Sequence, residues 1–324
     1  MKRICLYFAL FMSSGLFAQD SLNNVSPANM DKDGKEKAYP VRIFNGQRAI
    51  NANTTEMVGK GKMEFYVTHY FDDFDGPGGV FTRFLGLDNA RDIRIAFHIG
   101  LSDKLDFNIA RIKGAAQVNR LYEFALKYQL TDQRESGPGH QWAVALFANT
   151  AICSSPVKHG TPEFPREDDF SGFSDRLYKA VQLIIARRMG KVSIQFNPTL
   201  SSTGHVIPHD QKAIFAMGGV LRFPLFKKFN LILDYFHPFR SEASKNYFGD
   251  TATSHSKLFF KFYDPFGVGF EIVTAGHVFH LNFTNNTEIL ESRFIHRTVT
   301  KWGKGQFRWG FTISRQFEFN KHKK

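Results

Sequence analysis

The chain has 324 residues, 36 of them Phe, with 15% aromatic residues and a formal net charge of +12. Two cysteines exclude a disulfide framework, and no stretch beyond the N-terminus approaches the roughly 18 unbroken apolar residues of a membrane-crossing helix. So much Phe favours half-buried pleated sheet.

The first residues, MKRICLYFALFMSSGLFAQD, have the layout of a secretory signal. Lys2 and Arg3 supply the positive start, Ile4 to Phe11 the apolar run, and Gly15 to Ala18 the small-residue exit, so residues 1–18 are expected to be removed. An exported chain with excess Lys and Arg meets little nucleic acid; outer-membrane lipid and lipopolysaccharide are the expected partners of its charge. Cys5 leaves with the signal, and Cys153 remains as an incidental small residue. Residues 19–60 are polar, without sustained period, and read as a periplasmic N-terminal extension.

From Lys62 the pattern becomes one of short alternating strands. Met63, Phe65 and Val67 alternate with Glu64, Tyr66 and Thr68; Ile93, Ile95, Phe97 and Ile99 with Arg94, Ala96 and His98. Leu105, Phe107 and Ile109 alternate with Asp106 and Asn108, and Tyr122, Phe124, Leu126 and Tyr128 with Glu123 and Lys127. Further strands are expected near 141–150, 177–188, 192–200, 212–223, 230–236, 258–273, 277–284 and 306–319, which makes twelve in all.

Their connections alternate in length. Short joins fall at 101–104, 189–191, 225–229 and 274–276; long polar ones at 71–92, 151–176, 201–211, 237–257 and 285–305. Short turns at one end and long loops at the other are the plan of an outer-membrane barrel, with both termini on the periplasmic side when the strand count is even. A soluble β-sandwich also alternates, but its loops would not segregate by length. In the stretch FGVGFEIV (266–273), Phe266, Val268, Phe270 and Ile272 make an oily face opposite Gly267, Gly269 and Glu271. That face is expected to touch lipid. The fold expected is all-β: an antiparallel transmembrane barrel over 61–319, followed by a basic tail, 320–324.

Three segments carry a more specific likeness: RIFNGQRAINANTTEMVGKGKMEFYVTHYF (42–71), GLSDKLDFNIARIKG (100–114), and the run 274–317 from TAGHVFHLNF to GFTISRQF. Together they resemble an uncharacterised, domain-of-unknown-function family of outer-membrane β-barrel proteins from Gram-negative bacteria. The resemblance implies a fold, a location and the barrel-insertion machinery as a partner, and no activity. Phe317 and Phe319 stand where such barrels end on an aromatic, although Asn320 to Lys324 follow.

With the oily side facing lipid, Glu64, Arg94, Asp106, Glu123, Lys127, Arg222, Asp234, Lys261, Glu271 and Arg308 are expected to point into the lumen. A set balanced in sign suits pairing across the interior better than ion selection, and Tyr66, Tyr178 and Tyr263 would fill part of the bore. His98 and His280 fall on the same face. A proton-responsive or metal-binding pair is one reading; two histidines hydrogen-bonded in a polar interior is the ordinary one. Asp72, Asp73 and Asp75 before Gly76-Pro77-Gly78-Gly79 lack the closing glutamate of a calcium loop. Pro208 between His205 and His209 argues against the helix that zinc motifs use. Trp302, Phe307, Trp309 and Phe311 suit an aromatic girdle. No nucleophile elbow, zincin helix or phosphate loop occurs. No cofactor or metal is expected, and the chain is read as a non-enzyme. The functional expectation is a narrow channel for passive transport of an unidentified small solute. The alternatives are a plugged barrel acting through its loops, or a lipid-modifying barrel enzyme.

Overall fold

A computed structural model describes residues 40–76, 79–135, 140–249 and 260–319. The signal, the extension up to residue 39, Pro77 and Gly78 of the acidic turn, residues 250–259 and the basic tail lie outside the described residues.

Alternation produces strands wherever the sequence shows it. Twelve antiparallel strands run in chain order: β1 (Lys62–Asp73), β2 (Ala90–Gly100), β3 (Leu105–Ile112), β4 (Leu121–Thr131), β5 (Ala143–Cys153), β6 (Leu177–Met189), β7 (Val192–Thr203), β8 (Ala213–Phe226), β9 (Phe229–Pro238), β10 (Phe266–Val273), β11 (Val278–Thr284) and β12 (Arg308–Glu318). Each pairs with its chain neighbours, and β1 pairs with β12 from Lys62↔Glu318 to Asp73↔Arg308, so the barrel closes and no sheet edge is left open. Joins at 101–104, 190–191, 227–228 and 274–277 sit at one end; 74–89, 154–176, 239–265 and 285–307 sit at the other.

The burial pattern is that of a protein turned inside out. In β2, Ile95 and Phe97 face outward, 42% and 39% exposed, while Asp92, Arg94 and His98 are buried. Phe124, Leu126 and Tyr128 do the same on β4, and Phe215, Met217 and Leu221 on β8. In water such a face would be an aggregation hazard; in a bilayer it is the solvated surface. Trp302, Phe307, Trp309, Phe74 and Phe283 pack ring against ring near the long-loop end, with the Trp302 and Phe307 centroids 4.7 Å apart.

Four expectations are corrected. The tenth strand begins at Phe266 rather than 258, because residues 260–265 follow the loop instead of the ladder. Lys261 therefore lies outside the wall, exposed, and does not point into the lumen. The described part of the segment 19–60 is no extension: residues 40–61 enter the bore and fill it. The join 285–305 is not a surface loop throughout either. It carries a helix, α2 (Glu291–Arg297), whose Phe294 and Ile295 are buried in the barrel; α1 (Glu242–Gly249) lies in the loop before β10.

Candidate functional site

The site is the filled lumen. The chain enters at the short-turn end, where Pro40 bridges Arg134 and the Val41 amide donates to the Gln133 carbonyl. It rises to a tight reversal at Arg48–Asn53, where the Ala49 amide bonds the Ala52 carbonyl, and descends to β1. We call this bent insert, residues 40–61, the finger. Its exit is made possible by glycine. Gly59 and Gly61 adopt φ of +86° and +71°, and a Cβ on Gly100 would lie 1.8 Å from the Gly59 carbonyl oxygen.

One side of the finger is apolar. Ile43, Phe44, Ala49, Ile50 and Ala52 form a single cluster with Ile214, Ala216, Val220, Ile232 and Phe236 of β8 and β9, and with Phe294 and Ile295 of α2. Gly267 and Gly269 of β10 make room for its tip: a Cβ on Gly269 would sit 3.0 Å from Ile50 Cδ1. The small face of FGVGFEIV therefore receives the finger.

Everything else that holds the finger is polar. Asp234 Oδ2 accepts the amides of Ile50, Asn51 and Ala52 at 3.2, 2.8 and 2.9 Å. The Lys127 ammonium donates to Gln47 Oε1 and to the Thr54 and Glu56 carbonyls. Asp106 accepts the Val58 amide at 2.9 Å. Glu271 gathers Asn45, Arg222 and Asn230 on one oxygen and His280 on the other. Arg48, 2% exposed, reaches Glu291 of α2 at 2.6 Å. Glu291 continues through Asn149 to Glu123 and so to Arg94, at 2.9 Å in each step. One hydrogen-bonded network thus crosses the lumen from wall to helix to finger.

The residues expected in the lumen separate by role. Lys127, Asp234, Asp106 and Glu271 touch the finger. Glu123 and Arg94 join the network behind it, and Arg222 braces Glu271. Arg308 pairs with Asp73 at 2.5 Å near the outer rim, and Glu64 is buried beside the β2 wall. His98 and His280 are not brought together. His98 lies against the Tyr66 ring, centroids 5.6 Å apart, whereas His280 contacts Glu271 at 3.2 Å. Among the described residues no group of three or more His, Cys, Asp or Glu is arranged to hold a metal ion. Asp72 is engaged by Arg83 and Arg91; His205 bonds the Arg166 carbonyl, and His209 stacks on Tyr247. Sequence reasoning missed Gln47, Arg48, Asn53 and Glu291. The available signal was apolar residues standing in polar surroundings: Ile43, Phe44 and Ile50 in one segment, and Ile289, Leu290, Phe294 and Ile295 in the other.

The packing leaves little free space. A cavity of about 10 Å³ lies between Gln47 and Asn53 of the finger and His98, Asp106, Asn108 and Lys127 of the wall, room for about one water. At the long-loop end a buried ion network caps the bore. Arg293 of α2 pairs with Glu167 at 2.7 Å and with Glu288 at 3.0 Å, Arg297 pairs with Glu167 and Asp210, and Arg240 pairs with Asp210. Burial alone would raise the Glu167 carboxyl, but the two guanidiniums hold it down at about 2.

A family model described as "Membrane bound beta barrel domain (DUF5777)" matches residues 44–317, which include most of the finger. None of the curated protein sequences matches this chain. Similar solved structures include the KdgM porin, 7% identical, covering 79% of this chain and 99% of that one with a TM-score of 0.45. The toluene transporter TodX of P. putida is 9% identical over 86% and 95%, TM-score 0.42. Outer membrane phospholipase A from Escherichia coli is 8% identical over 85% and 100%, TM-score 0.38. Resemblance at these levels does not bear on activity.

Proposed function

Because the chain belongs to the membrane-bound β-barrel domain family, and so to the bacterial outer membrane, we propose that it is a gated conduit for small solutes. The finger closes it in the conformation described and opens it by leaving its seat. The observation that supports this reading is the chemistry of that seat. Lys127, Asp106, Asp234 and Glu271 are buried charged residues whose bonds hold residues 40–61, a segment with no ladder of its own. A permanent filling would be built at least as stably from apolar residues, since replacing buried charges by well-packed hydrophobes is often neutral or stabilising. A polar inner wall, in contrast, is one that water can solvate once the finger withdraws.

The ion network over the mouth favours a second reading, a sealed barrel whose capped loops form a surface for binding. An enzymatic role has less support. On the outer wall His237 and Tyr235 share Asp264, and no serine hydrogen-bonds to that group among the described residues.

Single-channel recording in planar bilayers tests the conduit. The mature protein should be silent apart from rare brief openings, and a folded variant lacking residues 40–58 should give discrete, reproducible steps. Steady open steps from the intact protein would refute closure by the finger. A folded finger-less barrel that stays silent even when the cap is loosened by Glu167→Gln would refute the conduit and leave the surface role.

A further inference from the structure

The finger is held differently on its two sides, and the difference assigns a route. Its apolar residues belong to the cluster with β8, β9 and α2, to which, among the described residues, no residue of β1–β4 contributes. Toward β2–β4 it presents Gln47, Asn53, Thr54 and Glu56 instead. The wall there carries small side chains, Ala96, Ala110 and Ala125, between its polar ones. It also carries buried polar atoms without a partner among the described residues: both Arg94 Nη atoms, His98 Nε2, Asp106 Oδ1 and Asn108 Oδ1, with Glu64 Oε2 beside them on β1. Three of those residues line the small cavity against the finger. Such atoms are costly in a dry interior and inexpensive beside water.

We propose that the finger is hinged on its apolar side and swings away from the β2–β4 wall, with Lys127 as the latch, opening there a route for small hydrated cations. The proposal rests on the gated reading. Lys127 is the one wall residue of this sector that grips the finger through its side chain at several points, bonding Gln47 Oε1 and two carbonyls of the descending arm. The sign of the solute follows from the side chains facing the seam. On the wall itself Glu64, Asp106 and Glu123 stand against Arg94 and Lys127, and Lys127→Gln leaves three acids to one base, an acid-rich lining that selects cations. The opposite wall meets the finger through Val220, Ile232 and their apolar neighbours, and its Asp234 and Glu271 are already engaged by the finger.

Two latch variants act from opposite sides: Lys127→Gln from the wall and Gln47→Ala from the finger. Each is made in the full chain with Cys153→Ser, with folding confirmed by heat-modifiable migration. Each should raise open probability about tenfold or more, the scale of one charged hydrogen bond, with a reversal potential favouring K⁺ over Cl⁻. Asn108→Cys in the unlatched protein should then be blocked by a cationic methanethiosulfonate, while Val220→Cys should not. Block at Val220→Cys alone, or anion selectivity, would overturn the route. If both latch variants stay silent while Asp234→Ala conducts, the latch is wrong and the gate stands. If all three folded proteins are silent, gate and route fall together.

Discussion

Asp234 offers the most direct measure of what holds the finger in place. Its single oxygen Oδ2 takes the amides of Ile50, Asn51 and Ala52, and the residue is fully buried. Asp234→Ala leaves three buried amides without their acceptor. A buried unsatisfied donor costs about 1–3 kcal/mol; because the lost carboxylate leaves room for water, the low end applies, or about 3 kcal/mol in total. That corresponds to roughly a hundredfold shift in the equilibrium between seated and released finger. Asp234→Asn keeps an oxygen in place and loses the charge. Charge-assisted bonds are about twice as strong as neutral ones, so a shift of roughly tenfold is expected. Hydrogen exchange of the three amides in lipid nanodiscs measures both, with the β9 amides as an internal control. Acceleration of less than about threefold in Asp234→Ala would refute the assigned role. Equal acceleration in β9 would show that finger and wall open as one unit, which refutes a separately moving gate.

Two further outcomes are expected. The Glu167 carboxyl lies at about 2 in the folded protein against an ordinary 4.5, so its ion pairs stabilise the loop cap above pH 4.5 and lose that contribution as pH falls toward 2; protease cleavage in the 154–176 loop should rise across that window, and the Glu167→Gln protein should show no such rise. Leu126 is 51% exposed at the middle of β4, so Leu126→Arg should cost about 2–4 kcal/mol in urea titrations in lipid vesicles, whereas an unchanged midpoint would argue against a lipid-facing wall.

The wall was legible in the sequence because a barrel strand satisfies a local rule. At Leu126-Lys127 the two neighbours point to opposite faces, and alternation alone tells which is which. Strand number and turn order followed from the same period and from the spacing of the joins. The finger obeys no such rule. Residues 40–61 make neither helix nor ladder, and Ile43, Phe44 and Ile50 are too few and too irregularly spaced to declare a buried face. Their burial is decided by partners far along the chain. Lys261 was misplaced for a related reason: alternation in the Phe260–Tyr263 stretch suggests strand, but the ladder that would confirm it begins only at Phe266.

The finger's place in the chain also has a consequence for assembly. It immediately precedes β1, the strand whose pairing with β12 joins the two ends of the wall. Its anchors are remote in sequence: Asn51 lies 183 positions from Asp234, and Arg48 lies 243 from Glu291. Contacts of such separation form late, because the chain between them must be ordered first. Seating the finger therefore awaits β9 and α2, and seating it draws the start of β1 toward its partner strand. Completing the wall and sealing the bore become coupled steps, so a newly inserted barrel need never pass through a finished but leaking state.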